Sequence, residues 1–169
     1  MITPAYARTM ARYNRWQNAR ILAACDTLEP GALSADRGAF FGSILGTLSH
    51  LMWGDAIWMS RFDGWDKPHV GLKESASFIP DWQTLRRLRP GDDERIVAWA
   101  DGLPGDGLEG DLTWFSGAAG REVSKPLALC VAHFFNHQTH HRGQVHAMLT
   151  AAGARPGDTD LFLMPESET

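Results

Sequence analysis

NHQTHHRGQVHAML, at residues 136–149, is the most informative part of this sequence, because it combines helical periodicity with crowded histidines. The apolar side chains of the surrounding segment form one arc at about 100° per residue. This arc consists of Leu127, Cys130, Phe134, Val145 and Met148, with Val131 and Leu149 at one edge. We predict a helix over 125–152, with Ser124 as its N-cap, Pro126 in its first turn and Gly153 as its stop.

The histidines of this helix fall on different faces. His137 and His141 lie in or beside the apolar arc, four residues apart, so their rings can converge on one point. His133 and His140 lie at the flank, and His146 points to the opposite side. Neutral imidazole is the commonest metal ligand in proteins, and an i, i+4 pair gives two ligands on one helical face. The spacing therefore nominates His137 and His141 as ligands, with hydrogen-bonded core histidines as the alternative.

A second apolar segment supplies a candidate third ligand. We predict a helix over 38–62 that is apolar on nearly every side, as expected of a central helix. His50 stands one turn after Gly46 and one turn before Gly54, and such small residues leave room for a cavity or for close helix approach. A third ligand is what an open catalytic metal site requires. A buried histidine that only packs in the core is the alternative for His50.

Two further helices complete an all-α, four-helix bundle. The first is predicted over 3–28, with a Thr-Pro start and an end at the Pro-Gly of 30–31. The other is predicted over 81–101, where the Pro-Gly at 90–91 indicates a break or a kink.

The connections carry weaker signals. Residues 65–79 contain Pro, Gly and Ser and are typical of a long connection. The runs 112–115 and 122–125 flank a Gly-bearing loop, which predicts a small β-hairpin before the last helix. The tail has one apolar patch, LFLM at 161–164, that we expect to pack back on the bundle.

Composition excludes several classes of protein. A length of 169 residues suits one domain, 1–169, with a real core, and 44% hydrophobic residues are too many for a disordered chain. The net charge of -4 comes without runs of either sign, so we expect no nucleic acid and no membrane surface as partners. No signal peptide or apolar run of membrane-spanning length is visible, which predicts a cytoplasmic protein. In that compartment Cys25 and Cys130 are expected to be buried free thiols.

Three strings together carry a family resemblance: NHQTHHRGQVHAML at 136–149, SHLMWGDAIWMSRF at 49–62 and ARYNRWQNARIL at 11–22. They strongly resemble the DinB-like family of damage-inducible-type four-helix bundles. These bundles are structurally related to the YfiT-type metal hydrolases and to thiol-dependent transferases. The core motif is a histidine in a Trp-bearing second helix plus an HxxxHRGQ string in the last helix. The resemblance covers most of the chain and implies a DinB/YfiT-like bundle.

The resemblance also implies a metal site and a partner. Three histidine ligands to a divalent metal, most often nickel or zinc, map to His50, His137 and His141. Family members typically form homodimers through bundle helices. A three-histidine site with open positions activates water for hydrolysis or a low-molecular-weight thiol for transfer to an unknown small-molecule substrate. A non-catalytic stress-response protein with a structural metal is the alternative, and a metal-free helical scaffold is a third.

Two kinds of polar residue near these histidines have more than one interpretation. Asp55 either orients a ligand or acts as a general base, or else forms an ion pair with an arginine such as Arg20 or Arg142. Asn18 and Asn136 hydrogen-bond either across helices or toward a metal-bound water.

The remaining candidates are rings and one amide. His140 lies either at a pocket rim, as an acid or base, or in solvent with a hydrogen bond. His133 is either a partner of a ligand or an ordinary flank residue. Trp53 and Trp58 either line an apolar pocket or pack in the core. Gln144 belongs to the family string, and spacing alone assigns it no role.

Overall fold

The computed structural model describes residues 1–117 and 119–168. Four long helices, one short helix and a two-stranded antiparallel hairpin form the described part of the chain, which confirms the predicted all-α bundle with a hairpin before its last helix. The helices are α1 (Pro4–Cys25), α2 (Pro30–Ser34), α3 (Ile44–Phe62), α4 (Trp82–Asp101) and α5 (Leu127–Ala151). The strands are β1 (Asp111–Ser116) and β2 (Arg121–Pro126), and short 3₁₀ turns span Leu72–Ser77, Leu161–Leu163 and Glu166–Glu168.

Side-chain caps start three of the long helices. The hydroxyl of Thr3 accepts a hydrogen bond from the Tyr6 N–H at the start of α1, and Asp81 accepts one from Thr84 at the start of α4. Such caps satisfy N–H groups that have no partner within the helix. Ser43 caps α3, accepting from the Gly46 N–H at 3.0 Å. The predicted start of α3 at residue 38 is therefore wrong, and the residues before Ser43 form a turn.

The long connection predicted at 65–79 contains the 3₁₀ turn Leu72–Ser77 and is bound to α3. The Ser49 hydroxyl donates to the carbonyl of Ser75 at 3.0 Å and accepts from the Ile79 N–H at 2.9 Å. Ser49 directly precedes His50 on α3, so these two hydrogen bonds hold Ser75 beside that histidine.

Helix α4 continues through Pro90, so of the predicted break or kink the break is wrong. Proline cannot donate the N–H that the carbonyl of Arg86 would accept. Pro90 lies on the exposed side of α4, where water can hydrate that carbonyl instead. The helix therefore continues past the proline without leaving that carbonyl unhydrated.

Helix α5 begins at Leu127, so the predicted roles of Ser124 and Pro126 at its start are also wrong. Both residues belong to β2, and Pro126 lies opposite Asp111 at the open end of the hairpin. The Ser124 hydroxyl accepts a hydrogen bond from Thr113 across the hairpin instead of capping a helix. The predicted stop is correct, since Gly153 follows the helix with a φ of 88°.

Each long helix carries a polar stretch between two apolar stretches, and the packed bundle therefore has a polar layer between two cores. On α1, Ala7 and Ala11 belong to one core while Ile21 and Leu22 belong to the other. Asn14 lies between them and is buried. The same order holds on the other long helices, and this layer contains the chemistry described below. Among buried residues, Cys25 and Cys130 are free thiols, as predicted.

The tail packs back through one residue of the predicted apolar patch. Met164 is buried against Tyr13 and Trp16 of α1. The other three residues of the patch, Leu161, Phe162 and Leu163, are exposed, Phe162 by 83%. The prediction therefore holds for Met164 alone. None of the helices in the described parts of the chain has the length and apolarity needed to cross a membrane.

Candidate metal centre

Three histidines from two helices meet in the polar layer. His50 comes from α3, and His137 and His141 come from successive turns of α5. Their candidate ligand atoms all lie within 4.8 Å of one another. The structure thus brings together the two histidines that share one face of α5 and the histidine of the α3 motif, as a group able to hold a metal ion.

The spacing of the ring nitrogens suits a shared ion. The Nε2 atoms of His50 and His137 lie 3.1 Å apart. Two nitrogens bound to one ion at about 2.0–2.1 Å, with angles of about 90–110° at the ion, are separated by about 2.9–3.4 Å. The observed distance lies within this range, so the spacing of these two imidazoles is compatible with a shared ion as well as with a hydrogen bond between them.

The outer nitrogen of His50 is held by the connection before α4. Its Nδ1 lies 2.8 Å from the hydroxyl of Ser75. A hydrogen bond from Nδ1–H to this hydroxyl leaves the lone pair of Nε2 directed at the other histidines. The periodicity of α3 gave no indication of Ser75, because the contact depends on how the connection folds over the helix.

The outer nitrogen of His141 is held by its own helix. Its Nδ1–H donates to Oε1 of Gln144 at 2.8 Å, and the amide of Gln144 donates in turn to Nε2 of His140 at 3.3 Å. Gln144 therefore orients a candidate ligand, a role that spacing alone did not reveal. His140 is exposed and hydrogen-bonded, so the predicted alternative of a solvent position with a hydrogen bond is the correct one.

Close packing fixes the other faces of the rings. The ring of Phe41 stacks on His50 with centroids 3.8 Å apart. The backbone of Phe41 can approach because Gly46 has no Cβ. A Cβ at this position would lie 2.4 Å from the carbonyl oxygen of Phe41, which is too close. Similarly, a Cβ on Gly54 would lie 2.8 Å from Cε1 of His137. The two glycines predicted to leave room do so, Gly46 for Phe41 and Gly54 for His137.

Burial keeps the three histidines neutral. Burial, with a smaller contribution from the neighbouring histidines, lowers the pKa of His50 to about 4 and that of His137 to about 3. Burial also lowers the pKa of His141, against the opposite effect of its hydrogen bond to Gln144. A neutral imidazole is the form that binds a metal, so near pH 7 no proton has to leave these rings.

The histidines open on one side into a cleft of about 760 Å³. His50 and His137 lie at the cleft, and Trp53 and Trp58 line its α3 wall, as the first interpretation of these tryptophans proposed. His133 continues the α5 wall, with its ring 5.2 Å from that of Trp58.

Two further segments complete the cleft. They are the loop residues from Val70 to Glu74 and the hairpin residues Trp114, Phe115, Ser116 and Gly117. Sequence reasoning found the hairpin but not its place at the cleft, because that place depends on the direction in which the hairpin leaves the bundle.

Asp55 belongs to a separate group, here called the buried ionic cluster. The cluster consists of Asp55, Arg89, Asp93 and Arg142 with the amides of Asn14, Asn18 and Gln138. Asp55 lies 2.5 Å from the guanidinium of Arg89 and accepts a hydrogen bond from Gln138 at 2.9 Å. The ion-pair interpretation of Asp55 is therefore correct in kind.

The partners named for Asp55 are wrong. Arg20 instead donates to the carbonyl of Pro156 in the tail, and Arg142 donates to the amide oxygen of Asn14. Asn18 bonds across helices to Asp93 at 2.8 Å, as its first interpretation proposed, whereas Asn136 is exposed. Which arginine meets which carboxylate depends on the axial register of neighbouring helices.

His146 lies apart from the other histidines of α5, as predicted. Its Nε2–H donates to the carbonyl of Gly157 at 2.9 Å, so the ring holds the start of the tail. This contact explains one of the crowded histidines without any metal.

The fold and the site define a helical-bundle protein with a buried three-histidine group that is able to hold a metal ion. The sequence model of the DinB family matches residues 1–169, the whole chain, and the chain belongs to that family. This confirms the family resemblance. Searches of the curated proteins and of the solved structures found no match.

Proposed function

We propose that His50, His137 and His141 bind one divalent transition metal ion, nickel or zinc, and that the protein is a metal-dependent enzyme. The observation that carries the proposal is the convergence of three neutral imidazoles at the inner end of an open cleft. The reaction class is hydrolysis or transfer of a low-molecular-weight thiol. The three ligands are the same for both reactions.

The donor set supports this chemistry. The group consists of three imidazoles, and none of the described carboxylates belongs to it. A bound ion would supply Lewis acidity, which lowers the pKa of a water or thiol. Neutral ligands leave the charge of such an ion uncompensated, which favours an anionic partner such as a thiolate. The buried imidazoles thus suit the activation of a nucleophile.

The open side favours an enzyme over a protein with a structural metal. Structural zinc sites are usually closed by four protein ligands, whereas catalytic sites keep a position for substrate or water. His137 is half-buried and borders the cleft, so a small molecule can reach the group. As the family resemblance implies, we also propose a homodimer, which a molecular mass of two chains in solution would support.

The first experiment measures metal content in tag-free protein purified without a chelator. We expect about one nickel or zinc ion per chain in the wild type and a loss of stoichiometric metal in the variants His50→Ala, His137→Ala and His141→Ala. His146→Ala is the matched control and should keep its metal, since that ring bonds to the tail. Equal loss in all four variants, or no metal in the wild type after incubation with both ions, would refute the proposed site.

A stability measurement tests the same site independently. A ligand that binds the folded chain alone stabilises it by about 2.7 kcal/mol at a free concentration of 100 times Kd. Added metal should therefore raise the midpoint of thermal unfolding of the wild type and of His146→Ala. The midpoint of His50→Ala should stay unchanged. The same rise in His50→Ala would mean that the metal binds elsewhere.

A further inference from the structure

One cation lies inside the aromatic part of the cleft. Arg61, in the last turn of α3, places its guanidinium carbon 4.5 Å from the ring centre of Trp58 and 5.2 Å from that of Trp114. The two indoles are tilted by 65° with centres 5.6 Å apart. They hold the guanidinium in one place and, unlike a carboxylate, do not neutralise its charge.

Arg61 has no acidic partner among the described residues. The other half-buried or buried arginines of the bundle pair with carboxylates, as Arg12, Arg15 and Arg89 do, or bond to backbone or amide oxygens. Burial lowers the pKa of Arg61, but a guanidinium stays charged at neutral pH. Removing a cation from water without a counter-charge is costly. The location at the carboxyl end of α3 offsets part of that cost and leaves the N–H donors free.

The rest of the cleft does not supply the missing anion. Among the described residues that line the cleft, the other charged ones are Lys73 and Glu74, and both are exposed. The Glu74 carboxylate lies beside Gly71, where a Cβ would be 3.2 Å from its oxygen. Among the described residues of the cleft, Arg61 is therefore the charged side chain that stacks on the two indoles.

The distance from Arg61 to the histidines sets the shape of a ligand. Arg61 follows His50 by eleven residues on the same helix, which separates their Cα atoms by about 16 Å. Arginine side chains on a helix lean toward its amino end, which shortens the gap between the guanidinium and the histidines. A molecule that touches both must be elongated, with an apolar body opposite Trp53 and Trp58.

We propose that Arg61 binds a carboxylate at one end of an elongated, largely apolar small-molecule substrate whose other end reaches His50, His137 and His141. A carboxylate matches the fork of N–H donors on a guanidinium. A single half-buried cation also matches the single charge of a carboxylate better than the double charge of a phosphate ester. The position of the reacting end rests on the proposed metal-dependent function, whereas carboxylate binding by Arg61 does not.

The test compares three probes with the same body: phenylhexanoate, the neutral phenylhexanol and phenylhexyl phosphate. Binding is measured by calorimetry and by the fluorescence of the cleft tryptophans. The protein is first treated with EDTA, so that no metal contributes to binding. Zinc-loaded protein is measured for comparison. In the EDTA-treated wild type we expect phenylhexanoate to bind at least about tenfold more tightly than the alcohol, as expected for one charge-assisted hydrogen-bonded pair.

Variants assign this preference to one residue. Arg61→Gln should abolish it, and Arg61→Lys should keep part of it, since lysine retains the charge without the fork. Arg95→Gln is the matched control, because Arg95 lies 3.7 Å over the ring of Trp65, outside the cleft, and this variant should bind like the wild type. Urea unfolding of each variant checks that the fold is intact.

Three results would overturn the proposal. A carboxylate preference that survives in a folded Arg61→Gln protein would show that Arg61 only packs between the indoles. A preference seen only with zinc and lost in His50→Ala would place the carboxylate on the metal. Tighter binding of the phosphate would contradict the assigned charge. If the protein binds no metal but the preference depends on Arg61, the metal-dependent function fails and the anion site stands.

Discussion

Two polar groups share the middle layer of this bundle and differ in how their charges and hydrogen bonds are satisfied. In the buried ionic cluster, two aspartates face two arginines, so the formal charges cancel, and Asp93 accepts hydrogen bonds from both Asn14 and Asn18. In the histidine group, three neutral rings converge and open into a cleft. Their sequences interleave, since Gln138 and Arg142 directly follow His137 and His141.

This difference indicates that the ionic cluster has a structural role and the histidine group a chemical one. The charged groups of the ionic cluster are buried, and Arg89 pairs with both Asp55 and Asp93, so that cluster aligns α1, α3, α4 and α5. In the histidine group the outer nitrogens of His50 and His141 are held by Ser75 and Gln144, while the Nε2 atoms of His50 and His137 lie 3.1 Å apart. Neighbouring positions of α5 thus serve opposite purposes because they point to different sides of the helix.

The largest effect that we expect to distinguish the two groups is a loss of folding stability when the ionic cluster is mutated. Asp55→Ala leaves Arg89 with one carboxylate and removes the acceptor of Gln138, all in a buried site. Removing one partner of a buried ion pair costs about 3–5 kcal/mol. We expect a loss of about 3 kcal/mol in the free energy of unfolding in urea, since Asp93 still pairs with Arg89.

An exposed ion pair is the matched control for Asp55→Ala. Asp101 contacts Arg12 across α4 and α1 at 2.9 Å, and Asp101→Ala should cost less than about 1 kcal/mol because both side chains reach water. If Asp55→Ala does not fold, Asp55→Asn keeps an acceptor for Gln138 and gives a measurable protein. A stable Asp55 variant that has lost its metal would contradict the separation of the two groups.

A smaller effect should separate metal affinity from stability at Gly54. Gly54→Ala places a methyl group 2.8 Å from Cε1 of His137, so the ring has to move. Alanine is also the better helix former, by about 1 kcal/mol. We expect zinc affinity to fall about tenfold in a chelator competition while the metal-free protein keeps or gains stability.

The control for Gly54→Ala is a second glycine inside a helix. Gly143 of α5 has no atom within 4 Å of the position that a Cβ would occupy. Gly143→Ala should therefore show the stability gain without the loss of affinity. Unchanged affinity in Gly54→Ala would mean that His137 is not held against α3 as the structure shows.

Spacing alone could predict the parts of the site that lie within one helix, whereas His50 was joined to them by its small neighbours and by the family resemblance. The i, i+4 spacing identified His137 and His141, and the outward position of His146 also followed from helical geometry. Contacts between segments could not be read in this way. Ser75 meets His50 only because the connection folds over α3, and Asp55 meets Arg89 only through the register of α3 against α4.

The errors in the fold have a similar origin. Local rules predicted a break or a kink at Pro90 and a cap at Ser124, and each rule describes an isolated segment. In the folded chain Pro90 faces water, and the Ser124 hydroxyl is engaged by Thr113 across the hairpin. Tertiary position thus decided both outcomes.

A third expected difference between the two groups is in the pH dependence of stability, measured in EDTA-treated protein. Burial lowers the pKa of His50 to about 4, below the ordinary histidine value of about 6.5. The unfolded chain therefore binds more protons below pH 6.5, and the stability contributed by the neutral histidines is lost as the pH falls from about 6.5 toward 4.

Asp93 changes the stability in the opposite direction over part of the same pH range. Burial raises the pKa of its carboxyl to about 6, so the folded chain binds more protons between pH 3.8 and 6, and this contribution is lost as the pH rises. Urea unfolding at a series of pH values should show a flatter acid decline for His137→Ala than for the wild type and a steeper one for Asp93→Asn. Equal slopes in all three proteins would contradict the burial of both groups, because a group that water reaches equally in both states binds protons equally in both.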